Sequence, residues 1–139
     1  MNGPDRKLVA KYYRLPDGTE PVRSVIDDLP LPDQVLLENG IDRINVLCTM
    51  RSPHLPFPIS SQIEGELREL RCQVRAKTFR VLYRRSEHMV ILLHIFEKKT
   101  QKVPEAEKAV ARERWANFRA RMNAEPRLRP SPIGTGEAP

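Results

Sequence analysis

The sequence predicts an α+β fold: two N-terminal helices, a mainly antiparallel four-stranded sheet, and a C-terminal helix. The prediction rests on helical spacing of apolar residues before residue 50, alternating apolar and polar residues from 69 to 84, and helical spacing again after Pro104. The chain has 139 residues, 40% of them hydrophobic, which is enough for one domain with a core. We therefore predict a single domain over residues 1–124 and a disordered Pro/Gly-rich tail over residues 125–139.

The N-terminal third predicts one strand and a helical hairpin. Residues 8–14 are rich in β-formers and stop at a Pro-Asp-Gly turn signal. A short helix is expected from Glu20 to before Pro30, and a second from Pro32 through Cys48, because apolar residues recur there at helical spacing. Residues 51–63 contain three prolines, and we predict a loop there.

The middle of the chain predicts an antiparallel meander. In residues 69–74 and 79–84 apolar and polar side chains alternate, as they do on half-buried strands. Residues 89–96 are apolar on both faces, which is typical of a central strand covered on each side. The links at 75–78 and 86–88 are short, so the three strands should follow one another as hairpins.

Charge and composition narrow the class of function. Residues 68–85 hold seven basic side chains and one acid, so the whole net charge of +6 lies in this stretch. A polyanion such as RNA or DNA is the expected partner of so localised a positive field. The longest apolar run is too short to span a membrane, and the polar N-terminus predicts a cytoplasmic protein. The three histidines and two cysteines match no metal-ligand spacing, so we predict neither metal nor cofactor, and we expect Cys48 and Cys72 to be buried thiols.

Two arginines and two lysines are the first candidates for a phosphate site. Arg71 and Arg80 lie on the polar faces of neighbouring predicted strands, where we expect them to face solvent, and Lys98 and Lys99 follow the central strand. Together they could clamp a scissile phosphate and stabilise its transition state without a metal, or they could simply be a solvated basic face. Arg71 and Arg80 could also form ion pairs with Glu69, Glu66 or Glu97. Glu97 is a better candidate for a general base than the three histidines, although an ion pair with a lysine is its alternative role.

The same residues resemble a known family. The motifs Glu-Leu-Arg at 69–71, Phe-Arg-Val-Leu-Tyr at 79–83 and Glu-Lys-Lys-Thr-Gln-Lys-Val-Pro at 97–104 are similar to those of the HigB-like, phage-derived Gp49-like branch of the RelE/ParE toxin superfamily. The resemblance implies that the two N-terminal helices pack on a curved sheet. It also implies the toxin of a type II toxin–antitoxin pair that cuts mRNA, commonly on the ribosome, by attack of the ribose 2′-OH on the adjacent phosphate.

The resemblance assigns roles and partners. It implies that Arg80 holds the phosphate and that Lys98 or Lys99 neutralises charge or protonates the leaving oxygen. The catalytic candidates are Arg71, Arg80, Glu97, Lys98 and Lys99, and the RNA-binding candidates are Arg68, Arg75, Lys77, Arg84 and Lys102. No tyrosine occurs in residues 100–105, so the base stays open among Glu97, His94 and a lysine. The implied partners are a helix-turn-helix antitoxin, mRNA and the ribosome, with operator DNA bound only through the antitoxin. The alternatives to an endoribonuclease toxin are a ParE-type DNA gyrase inhibitor without nuclease activity and a non-catalytic phage RNA-binding protein.

Overall fold

The computed structural model describes residues 3, 5–124, 130–134 and 136–138. Within them the α+β class is confirmed, with three helices and a five-stranded sheet. The elements, in chain order, are β1 (Val9–Tyr12), α1 (Pro21–Asp27), α2 (Leu31–Leu47), β2 (Ser60–Glu64), β3 (Leu67–Val74), β4 (Lys77–Ser86), β5 (Met89–Glu97) and α3 (Glu105–Asn123). Of these helices, none in the described residues combines the length and hydropathy that crossing a membrane requires.

The sheet has the strand order β1-β5-β4-β3-β2. The meander of β3, β4 and β5 is confirmed as antiparallel, and β1 joins its edge parallel to β5. The predicted number of four strands is wrong, because the first four residues of β2 lie in the segment that we expected to be a loop. The last proline of that segment is Pro58, so the residues after it keep the N–H groups that pair with β3, and Ser60 faces Leu70 in the register.

The two N-terminal helices form where their sequence signals indicate. Each has a proline in its first turn, where a missing N–H costs nothing. The helix α2 buries Leu37, Ile41 and Ile44, a stripe with spacings of four and three residues. Cys48 is the residue that follows α2, one position beyond the helix in which we expected it, and both its thiol and that of Cys72 are free and buried.

Helices cover the sheet on both faces. One core lies between the sheet and the pair α1 and α2, and includes Leu70, Val81 and Leu92. A second core lies between the opposite face and α3, where Leu82 and Phe118 are fully buried. The prediction that the β5 run is covered on each side is therefore confirmed. Part of the polar face of β3 and β4 is therefore also covered: Glu69 and Arg80 are buried, whereas Gln73 is exposed.

The C-terminal segment lies along the free edge of β1. The N–H of Arg14 donates to the Pro132 carbonyl at 2.7 Å, and the Ala138 N–H donates to the Ala10 carbonyl at 2.8 Å. Ala138 is completely buried. The described part of the tail, residues 130–134 and 136–138, thus packs on the domain. Residues 125–129, 135 and 139, which also belong to the predicted disordered tail, lie outside the described residues.

Candidate functional site

Arg80, the first of the predicted phosphate ligands, is buried rather than solvent-facing. Its side chain is only 1% exposed, so the expectation that it faces solvent is wrong. Its Nη2 donates to the carbonyl of Gln101, in the segment that leads from β5 to α3. The alternation of β4 did assign Arg80 to the correct face, but α3 and the segment before it cover that face.

A buried carboxylate joins Arg80 to Arg71. Glu69 is fully buried; its Oε1 lies 2.6 Å from Arg71 Nη2 and its Oε2 lies 3.3 Å from Arg80 Nε. Arg71 and Arg80 face each other across β3 and β4, where two like charges alone would repel. We call Arg71, Glu69 and Arg80 the charge triad; its one carboxylate between two guanidinium groups leaves a net charge of +1. Among the described residues Arg80 Nη1 has no hydrogen-bond partner, so the positive character of the triad is not fully neutralised.

Arg71 is the member of the charge triad that is partly exposed at the protein surface. Its side chain is 24% exposed, and its Nη1 donates to the Pro58 carbonyl at 2.9 Å. The guanidinium carbon also lies 5.5 Å from the centroid of the Phe57 ring. Glu69 from one side and the segment before β2 from the other therefore hold Arg71 in one orientation.

Arg71 borders a cleft of about 610 Å³ between α2, the segment before β2, and the ends of β3 to β5. The cationic lining residues are Arg43, Arg71 and Lys98, and among the described residues that line it there is no carboxylate. The side chain of Lys98 makes no hydrogen bond or ion pair with the described part of the chain. Cations that face a cleft without internal partners create a favourable site for an anionic ligand.

Close contact between α2 and β3 brings the helix to this cleft. A Cβ on Gly40 would lie 2.7 Å from the Cys72 sulfur, so glycine allows the helix to approach the strand. One turn later, Arg43 reaches the cleft from α2. Sequence reasoning missed Arg43, and only the glycine in mid-helix hinted that this part of α2 meets the sheet closely.

The other two catalytic candidates form a separate, more exposed group. Lys99 Nζ lies 2.9 Å from one oxygen of Glu97, and Lys77 Nζ lies 3.7 Å from the other. The hydrogen bond from Lys99, together with the two positive charges, holds the pKa of the Glu97 carboxyl below its ordinary value. A carboxylate that is so stabilised in its charged form is a weaker general base than the sequence suggested.

The remaining predicted RNA-binding residues do not form one surface. Arg75, in the turn after β3, pairs with Asp33 at 3.0 Å, whereas Arg84 pairs with Glu66 at 2.9 Å near the other end of the sheet. The guanidinium of Arg84 also stacks 4.6 Å from the centroid of the Trp115 ring. The other two are Arg68, whose Nε donates to the Ser60 hydroxyl at 3.4 Å, and the exposed Lys102.

A family model, described as phage-derived protein Gp49-like (DUF891), matches residues 25–116. The chain belongs to this family. The family is a RelE/toxin-like one. No curated protein shows a significant match to the chain. The matched span contains the complete cationic lining of the cleft, so in this Gp49-like protein the cleft is part of the family domain.

His94 of the Gp49-like protein lies under α3, outside the lining of the cleft. Its Nε2 is 3.2 Å from the Glu107 carboxylate. Burial, with a contribution from the charge of Arg114, lowers the pKa of His94 although Glu107 opposes the shift. The imidazole is therefore neutral at neutral pH. In the part of the chain that the structure describes, no group of three or more His, Cys, Asp or Glu side chains is placed to hold a metal ion.

Proposed function

We propose that this Gp49-like protein is the toxin of a type II toxin–antitoxin pair, of the HigB-like branch, and a metal-independent endoribonuclease that cuts mRNA on the ribosome. The observation that carries the proposal is the cleft lined by Arg43, Arg71 and Lys98 with no carboxylate among its described lining. The toxin-like character of the family supports the biological role. The proposed partners are accordingly mRNA, the ribosome and a helix-turn-helix antitoxin, with operator DNA bound only through the antitoxin, in the cytoplasm.

The proposed reaction is an internal displacement at phosphorus. The ribose 2′-oxygen loses its proton and bonds to the adjacent phosphorus, the bond to the 5′-oxygen breaks, and that oxygen takes up a proton. The products are a 2′,3′-cyclic phosphate and a free 5′-hydroxyl. Negative charge accumulates on the phosphoryl oxygens in the transition state, so fixed cations near them accelerate the step.

Each cation of the cleft has a role in this proposal. Arg71 binds a phosphoryl oxygen, since a guanidinium held by Glu69 and the Pro58 carbonyl loses little freedom on binding. Lys98 stabilises the developing charge and protonates the leaving 5′-oxygen, and Arg43 binds a neighbouring phosphate. Arg80 is a positioning residue that acts through Glu69, which differs from the direct phosphate contact that the resemblance implies. A lysine is the general base in this proposal, because His94 lies outside the lining of the cleft and Glu97 is paired with Lys99.

A non-catalytic RNA-binding protein is the second candidate. The observation that favours it is the burial of Arg80, together with the ion pairing of Glu97, because both residues were expected to take part in the chemistry. The basic cleft serves either function.

Induced expression in a bacterial host, followed by mapping of RNA 5′ ends, separates the candidates. Lys98→Ala is the test variant, and Lys108→Ala is the control because this lysine of α3 pairs with Glu64 and Glu105 and does not line the cleft. Growth arrest with new mRNA cuts in the wild type and in Lys108→Ala, with at least about tenfold fewer cuts in Lys98→Ala, would support the endoribonuclease. Arrest without cuts would indicate a gyrase-type inhibitor, and RNA binding without arrest would indicate the second candidate.

A further inference from the structure

Phe57 stands at the mouth of the basic cleft with its ring in solvent. It is 75% exposed, the highest value among the exposed large hydrophobic residues of the described chain. The ring belongs to the lining of the cleft that also contains Arg71 and Lys98. Packing within the domain does not account for it, because a phenylalanine that served the core would be buried.

The backbone that follows Phe57 is anchored to β3, and prolines restrict the chain on both sides of the ring. Prolines precede and follow it, and the Pro58 carbonyl accepts a hydrogen bond from Arg71 Nη1. The next carbonyl, that of Ile59, accepts the backbone N–H of Arg71 at 2.8 Å. An aromatic ring on such a restricted segment loses little conformational entropy when a ligand stacks on it.

Phe57 and Arg71 together offer the two contacts that one nucleotide requires. The guanidinium carbon is 5.5 Å from the ring centroid, so a phosphate bound to Arg71 is close to a base placed on the ring. Proteins that bind single-stranded nucleic acid combine a cationic groove with aromatic rings in this way, since every base has a stacking face whatever its sequence.

We propose that Phe57 is the stacking platform for an unpaired base of single-stranded RNA, next to the phosphate that Arg71 holds. The inference rests on the proposed function, because it names the form of RNA that the same cleft accepts. The surrounding charge favours this occupant over an apolar protein segment, because Arg43, Arg71 and Lys98 attract a polyanion. A base that is paired in a duplex is already stacked and cannot lie on the ring.

RNA affinity, measured by fluorescence anisotropy with a short fluorescein-labelled RNA, tests the proposal. The RNA carries 2′-O-methyl groups, which remove the nucleophile of the proposed cleavage. The single strand and its duplex are each titrated at several salt concentrations. Phe57→Ala is expected to bind the single strand roughly tenfold more weakly, and the duplex as the wild type does. Phe57→Leu, which keeps an apolar side chain without a π face, should be as weak as Phe57→Ala, and Phe57→Trp should restore binding.

The salt dependence separates stacking from charge. Loss of a phosphate contact lowers the slope of log affinity against log salt by about one unit, whereas loss of stacking leaves the slope unchanged. Lys98→Ala is therefore expected to lower the slope and Phe57→Ala to preserve it. A lowered slope in Phe57→Ala would mean that the change acts through Arg71, and it would overturn the proposal.

The remaining outcomes are also decisive. Wild-type affinity in Phe57→Ala or in Phe57→Leu would overturn the stacking platform while leaving the proposed function in place. Failure of the wild-type protein to bind either RNA would overturn the inference, whereas the mapping of RNA 5′ ends tests the proposed cleavage on the ribosome separately.

Discussion

The charge triad makes Glu69→Gln the most informative single change. The glutamine amide has one oxygen and one NH₂ group, so one of the two arginines must then face a donor instead of an acceptor. Arg71 can turn to solvent, but Arg80 is 1% exposed and would be left as a buried charge without its counter-ion. Breaking a buried ion pair by removing one partner costs about 3–5 kcal/mol.

We expect a loss near the lower end of that range, about 3 kcal/mol of unfolding free energy, because the partly exposed Arg71 re-solvates. For a domain of this size the melting temperature should fall by roughly 10 °C. Urea unfolding followed by the fluorescence of Trp115, the single tryptophan, measures the change.

The matched control is Glu66→Gln, which makes the same chemical change in a carboxylate that is 78% exposed and pairs with Arg84 at 2.9 Å. Exposed pairs contribute only about 0–1 kcal/mol, so this variant should unfold close to the wild type. A double variant, Glu69→Leu with Arg80→Met, should lose less stability than the sum of its two single changes, since no charge remains unpaired between them. Equal losses for Glu69→Gln and Glu66→Gln would refute the assignment of a buried triad.

Three further results are expected. Gly40→Ala should destabilise the fold by about 1–3 kcal/mol in urea unfolding, because its Cβ would lie 2.7 Å from the Cys72 sulfur. Adding Cys72→Ala should recover part of this loss. An unchanged free energy of unfolding in Gly40→Ala would contradict the close contact between α2 and β3. Burial, followed by the charge of Glu38, raises the pKa of Tyr12 to about 12. The tyrosine therefore ionises first in the unfolded chain, and the free energy of unfolding should fall as pH rises from about 10 to 12. Tyr12→Phe should remove that part of the loss, and an absorbance titration that gave Tyr12 an ordinary pKa would contradict the prediction. Deleting residues 130–139 should lower the melting temperature and speed amide exchange at Arg14, whose N–H donates to Pro132, whereas unchanged exchange would mean that the tail does not protect the edge of β1.

Local patterns were sufficient for most of the elements. The prolines at residues 21 and 32 marked the starts of the two N-terminal helices, and alternation placed Leu70 and Val81 on one face of the sheet. These signals depend on residues within a few positions of one another. The strand β2 was missed because the prolines at 53, 56 and 58 predicted a loop just before Ser60–Glu64. The strand geometry of these residues comes from pairing with β3.

The site was predictable only in part. Arg71 and Lys98 were identified from the sequence, and the structure brings both to one cleft. Arg43 was not identified, because it lies 28 positions before Arg71 and reaches the cleft only where Gly40 lets α2 approach β3. Arg80 was identified, but its burial depends on the segment after β5, which no alternation pattern in β4 can reveal.

The sequence by itself determined the α+β class, the antiparallel meander and the concentration of positive charge in residues 68–85, since these follow from periodicity and composition along the chain. Only the tertiary structure decided which basic side chains of the chain are available to a ligand. Glu97, Glu66 and Asp33 each pair with basic residues that the sequence offered as catalytic or RNA-binding candidates, and Glu69 pairs with the buried Arg80. Arg43, Arg71 and Lys98 instead line a cleft that has no carboxylate among its described residues. The reason is physical: the field at a cation depends on burial and on the carboxylates within a few ångströms, and both are set by contacts between distant parts of the chain.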